Sequence, residues 1–398
     1  MTFRFRRTGL CTRRFDLHPL RAALLLVLVG GSQLTSHAAL AATTQTTLWG
    51  QMPDGTQVER VTLTNDRGMR MSYIDLGATL TAIEVPDRNG KRANILLSLP
   101  DLESYQRTRR RFAAVVGRYA GRIGGARFTL EGQTFALPAN ANGAALHGDP
   151  DGYDRRVWRR KNFSDSLSIG SVFSLDSPDG DQGLPGRLKV SVTYRLMRAS
   201  NELRIDYVAE TDAPTVVNLT NHAFFNLAGA GSVGLGTHLF HIDADRYVET
   251  NAKRIPTGVI SSVSGTPLDF RKPTGISERL ANASPLLGDP PGFDHSLLFS
   301  AADGRLKLVA TIDESTSGRR MQVHTTEPSV QFNSGNGFDG SETGSEGRAY
   351  LRHDGFAFET QHLPDSPNHA NFPTTVVRSG TAFRSTTVFR FSTIPAQR

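Results

Sequence analysis

Apolar residues recur at every second position along much of this chain, and no stretch of twelve or more residues holds a clean helical period. Successive side chains of a strand point to opposite faces, so the pattern demands sheets with one face buried. Val190, Val192, Tyr194 and Leu196 share one face of residues 189–196, and Leu203, Ile205 and Tyr207 share one face of residues 203–208. The polar stretch from Met197 to Glu202 between them predicts a hairpin. Residues 306–312 and 321–325 form a second such pair around the turn Ser315 to Arg319. Residues 127–130 and 133–137 flank Glu131-Gly132, a tight-turn signal. Further strands are expected in 55–64, 69–83 and 386–392, with a turn or two of helix at most in Asp101 to Gln106. Strands punctuated by Gly and Pro predict an all-β chain. The expected architecture is one large antiparallel β-sandwich over residues 44–398, with the Gly/Ser-rich segment Asn333 to Gly347 as a long surface loop.

The first forty-odd residues do not fit this pattern. Arg4, Arg6, Arg7, Arg13, Arg14 and Arg21 precede the apolar run Ala22 to Val29, and small residues follow, ending in Ala39-Leu40-Ala41. A basic head, a short apolar core and a small-residue end are the layout of a secretory signal. Residues 1–41 are therefore expected to be removed after Ala41, which predicts a periplasmic or secreted protein; a retained anchor is the rival reading. Thr12-Arg13-Arg14-Phe15 is a loose match to a twin-arginine export signal. The segment holds six Arg against one acid, Asp16, and so carries +5 of the formal +7. The remaining chain is near +2 with no basic stripe, which argues against a nucleic-acid partner. The only cysteine, Cys11, also lies in this segment, so no disulfide, thiol nucleophile or Cys-ligated metal is expected in the exported part.

Chemistry concentrates near the C-terminus. In Phe356 to Asn371 one carboxylate, Glu359, stands in a strand-like, otherwise apolar or neutral setting before a Pro- and Asn-rich loop. A carboxylate there is costly unless it has a partner or a task. A second dense segment places His222 among Asn218, Asn221 and Asn226, beside Phe224 and Phe225. The amides could fix the ring's orientation, and the aromatics could form a sugar platform. Val116 to Gly125 is rich in Gly and Arg but lacks the G-x-G-x-x-G order and a following helix, so it does not read as a dinucleotide cradle. Arg118 and Arg122 could instead bind hydroxyls or carboxylates. His147 falls in a loop, and Asp294 precedes His295. There is no G-x-S-x-G elbow, no EF-hand loop in Asp176 to Asp181 and no H-E-x-x-H pair, although His362 and His369 could in principle share a metal.

Taken in order, seven segments resemble the aldose 1-epimerase (galactose mutarotase) family: residues 117–123, 146–148, 218–227, 267–271, 292–295, 325–332 and 359–368. The resemblance runs from about Gly50 to Ser392 and implies a mutarotase-like supersandwich. It also implies interconversion of α and β anomers of free aldoses such as galactose and glucose. By this resemblance His222 is the general acid and Glu359 the general base, while Arg122, His147, Asp294 and Gln331 hold the sugar. No cofactor and no metal are implied. The expected partner is a free monosaccharide, with no membrane contact once the signal is gone. The chain departs from the family pattern at Gly121, where Asn is common, at Asp149, where Gly is common, and at Ala223 and Phe224, where Ser and Tyr are common. If His222 and Glu359 are close, each is expected to favour the other's charged form. Two other readings are a catalytically inactive sugar-binding module and a glycoside hydrolase using Glu359 and Asp294 as its carboxylate pair.

Overall fold

The alternating segments fold as strands, and their expected inward faces are the buried ones. In strand Leu188–Met197 every second residue is buried, and Leu203, Ile205 and Tyr207 of strand Glu202–Thr211 are buried opposite them. The two strands pair antiparallel, with Val192 facing Tyr207. The structure is a computed structural model that describes residues 9, 12–14, 41–281, 284–300 and 303–395. The predicted export signal falls almost wholly outside the described residues.

Three antiparallel sheets hold most of the strand residues of 39–398. The largest has nine strands, and its centre is Leu188–Met197, Glu202–Thr211, Phe383–Thr393, Arg319–Thr325 and Lys307–Glu314 in that order. The second runs Phe224–Phe225, Phe356–Gln361, Ser329–Asn333, Asp294–Phe299, Ala244–Thr250 and Pro256–Ser262. The third joins five strands between Thr43 and Asn94. One apolar core draws on all three, with Leu63 and Tyr73 from the third, Val192 and Ile205 from the first, and Phe332 and Phe358 from the second. Burial of this contiguous apolar surface is the main stabilising contribution.

Three local expectations need correction. Residues 69–83 are not one strand: Arg70–Ile74 and Leu80–Pro86 form a hairpin, because Gly77 and Ala78 take left-handed backbone (φ 66° and 47°) and reverse the chain. The segment Asn333 to Gly347 is not wholly loop, since Asp339–Thr343 pairs with Ala349–Leu351. Its polar strand escaped a reading based on apolar alternation. Ile276–Ala281 forms a six-residue helix too short to carry a period, like Leu102–Arg107, which was expected and is capped by the Asp101 side chain.

Candidate active site

Strand Phe356–Gln361 is buried along its whole length because both of its faces are covered. Phe356 and Phe358 enter the core. Glu359 and Gln361 take the opposite face, as the two-residue period requires, and line a cavity of about 270 Å³. On the next strand Gln331 stands opposite Glu359, and on the one after that Ser296 stands opposite Gln331. The row Glu359, Gln331, Ser296 therefore crosses the cavity floor. Ser296 Oγ donates to Gln331 Oε1 (2.5 Å), which turns Gln331 Nε2 toward Asp294 Oδ1 (2.8 Å). The other oxygen of Asp294 accepts from Arg254 Nη1 (2.5 Å).

His222 lies between the short strands Thr220–Asn221 and Phe224–Phe225. Its backbone N–H donates to Ala114 O (3.0 Å), and its carbonyl accepts from Ala113 N (2.9 Å). This places the ring beside the second sheet, with Nε2 3.4 Å from Glu359 Oε1. The ring packs against Phe224 (centroids 5.0 Å apart) and edge-on to His147 (5.6 Å). Among the described residues, neither His222 Nδ1 nor Glu359 Oε2 has a hydrogen-bond partner. The three neighbouring amides do not orient the ring. Asn221 donates to Ala113 O and Tyr194 Oη, Asn218 to Ala120 O and His362 O, and Asn226 to Gly234 O and Asp354 O. They pin backbone segments around the site instead. Phe224 lines the cavity, whereas Phe225 belongs to the core.

Arg122–Ile123 pairs with Ala145–Leu146, which brings Arg122 and His147 to one edge of the cavity. Gly121 N–H donates to His147 Nδ1 (3.1 Å), so the neutral ring carries its hydrogen on Nε2. All six residues singled out from the sequence thus meet in one cavity. Arg118 does not: it is fully buried elsewhere, bound to Ser177 Oγ and to carbonyls of Ser177, Pro178, Pro185 and Gly186. His362 and His369 are separately engaged, with Glu327 (2.7 Å) and Asp365 (3.3 Å).

Gln361 and Arg111 are among the cavity residues that escaped the sequence reading. Gln361 was signalled only by its position two residues beyond Glu359, on the same strand face. Arg111 had no local signal, since its partners are distant in sequence. Its Nη2 binds Asp149 Oδ2 (2.6 Å), and its Nε lies 4.0 Å from Asp154. The acid at 149, in place of the family's common Gly, thus anchors a cation at the site.

Burial dominates the electrostatics. It raises the Glu359 carboxyl to about 8, with Asp294 adding to the rise and Arg111 and Arg122 opposing it. Burial, helped by Arg111, lowers the His222 imidazole to about 4. Burial and Arg111 also hold His147 well below the usual histidine range. For Asp294, burial is outweighed by Arg122 and Arg254, and its carboxyl stays below the usual range. Burial thus works against the charged forms that each group was expected to favour in the other. Between about 4 and 8 the pair as a whole holds one proton. His147, His222 and Glu359 each bring a donor atom within 4.8 Å of the others, a set that resembles a zinc site. The guanidiniums of Arg111 and Arg122 bear on the same groups and oppose a cation there.

The family model described as aldose 1-epimerase matches residues 59–390. This chain belongs to the aldose 1-epimerase family. It is 41% identical over 347 residues to a galactose mutarotase of Rattus norvegicus, covering 87% of this chain and 98% of that one. It is 37% identical over 347 residues to an aldose 1-epimerase of Escherichia coli, covering 85% and 96%. Its fold matches the crystal structure of a galactose 1-epimerase from Lactobacillus acidophilus with a TM-score of 0.79 at 26% identity, over 89% of this chain and 99% of that one. Its activity is that of an aldose 1-epimerase, a carbohydrate isomerase. The departure at Gly121 has a backbone reason: its φ of 84° is a left-handed conformation that Gly and Asn both tolerate.

Proposed function

We propose that Glu359 and His222 are the acid–base pair of this epimerase and that its substrates are free aldoses such as galactose and glucose. The observation that carries this reading is the buried Nε2–Oε1 contact of 3.4 Å on the wall of a sugar-sized cavity. In the reacting arrangement the shared proton sits on His222. Glu359 takes the proton of the C1 hydroxyl while His222 gives its proton to the ring oxygen. The C1–O5 bond breaks, the open aldehyde turns about C1–C2, and reclosure on the other face returns both protons. Total protonation is the same as in the resting pair, so the step needs no proton from solvent. Arg122, His147, Asp294 and Gln331 hold the sugar hydroxyls, with His147 offering Nε2–H.

Asp294 is a poor second carboxylate for glycoside cleavage, because both its oxygens already accept from Gln331 and Arg254. Polarimetry of fresh α-galactose, α-glucose, xylose and arabinose tests the proposal. We expect acceleration with at least one of them; a purified, folded chain that accelerates none is only a binding module. We further propose that residues 1–41 direct export, so that the epimerase works in the periplasm or outside the cell. The mass of the chain recovered there is expected to correspond to a start just after Ala41; a full-length chain in the cytoplasm would refute this.

A further inference from the structure

We infer that Gln361 is a sugar ligand of this epimerase, its amide left unpaired for the substrate because residue 121 is glycine. The inference rests on the acid–base reading above and extends the site to a residue outside the six. Gln361 is 1% exposed and lines the same cavity as Glu359. Its backbone carbonyl accepts from Ser329 Oγ (2.6 Å), which fixes the strand there. Its side chain is different: neither Oε1 nor Nε2 has a hydrogen-bond partner among the described residues. A buried primary amide with both ends unpaired is costly, and such groups in folded proteins generally await a ligand or water. The other amide on the cavity floor, Gln331, is held at both ends by Ser296 and Asp294. Gln361 therefore has the floor's one free glutamine amide, able to give a hydrogen bond to one sugar oxygen and take one from another.

Gly121 explains why it is free. A Cβ built at 121 would lie 3.4 Å from Gln361 Nε2 and 3.0 Å from Pro364. An asparagine placed there would put its own amide beside that of Gln361. With no side chain at 121, nothing from that residue engages the Gln361 amide at the cavity edge. The left-handed backbone of residue 121 accepts asparagine, so the exchange can be made in this chain with only a small shift of Pro364.

The test is polarimetric kinetics on wild type, Gln361→Met, Gly121→Asn and the double variant, with galactose and its 2-, 3-, 4- and 6-deoxy analogues. Gln361→Met keeps the side-chain length and removes both hydrogen-bonding ends. We expect KM for galactose to rise about three- to tenfold with kcat little changed, the size of one or two lost hydrogen bonds. The penalty should shrink for each deoxy sugar that lacks a contacted hydroxyl and persist for the others. In the Gly121→Asn background the Gln361→Met penalty should fall below twofold, because the new amide already engages Gln361. An unchanged KM, or the same penalty on every deoxy sugar, would overturn the inference, the latter marking a purely structural role. An undiminished penalty in the Gly121→Asn background would overturn the part played by glycine. If wild type accelerates no sugar at all, the acid–base reading fails instead.

Discussion

Glu359→Gln and His222→Ala should each lower kcat for anomer exchange by about 10²–10⁴-fold, the range that one positioned acid or base supplies. The loss is large because the two groups act on one proton inventory. Gln cannot take the C1 proton, and alanine at 222 has no proton to give the ring oxygen. The double variant should be little worse than either single one, since the second change removes a partner that is already idle. A stability readout separates this loss from loss of fold. The folded-state value of Glu359 is raised from 4.5 to about 8, so wild type loses stability as pH rises through that interval. Gln carries no such cost. Glu359→Gln should therefore melt above wild type at pH 9, and the gap should close below pH 4.5. Polarimetry and thermal melts on the same samples check both outcomes.

Arg118→Ala should cost at least about 3 kcal/mol of stability, because a guanidinium making charge-assisted bonds is removed from a dry site. Its Nη1 donates to Pro185 O (3.0 Å) and Gly186 O (2.9 Å), and its Nη2 to Ser177 Oγ (2.7 Å), Ser177 O (3.2 Å) and Pro178 O (3.0 Å). Truncation leaves these buried acceptors unpaired. Lys cannot rescue it fully, since one ammonium does not reproduce the fork that spans both carbonyl sets. Urea titration of Arg118→Ala and Arg118→Lys measures the loss. A change below about 1 kcal/mol for alanine would mean that the loop 177–186 is held by other contacts.

The sequence exposed the hairpins because their strands are buried on one face only, as at 188–197. It was mute on Asp339–Thr343, whose residues are polar on both faces, and on Ile276–Ala281, which is shorter than two turns. Within the site, His222 and Glu359 were legible from the segments that carry them. Their state of charge was not, because desolvation depends on what the tertiary fold packs around them. The amides near His222 suggested a hydrogen-bonded ring, yet each is spent on a distant carbonyl. Arg111 owes its place to Asp149 and Asp154, some forty residues away, a pairing that no local pattern reveals.

The most direct test is the pH dependence of kcat/KM for fresh α-galactose, followed by polarimetry from pH 3 to 10 with the spontaneous rate subtracted. Raising the pH through about 8 strips the pair of its only proton and leaves none for the ring oxygen. Lowering it through about 4 adds a second and leaves no base. We expect a plateau between these limits with a fall on each side. A rate that is level or still rising beyond pH 9 would contradict a single proton shared by His222 and Glu359.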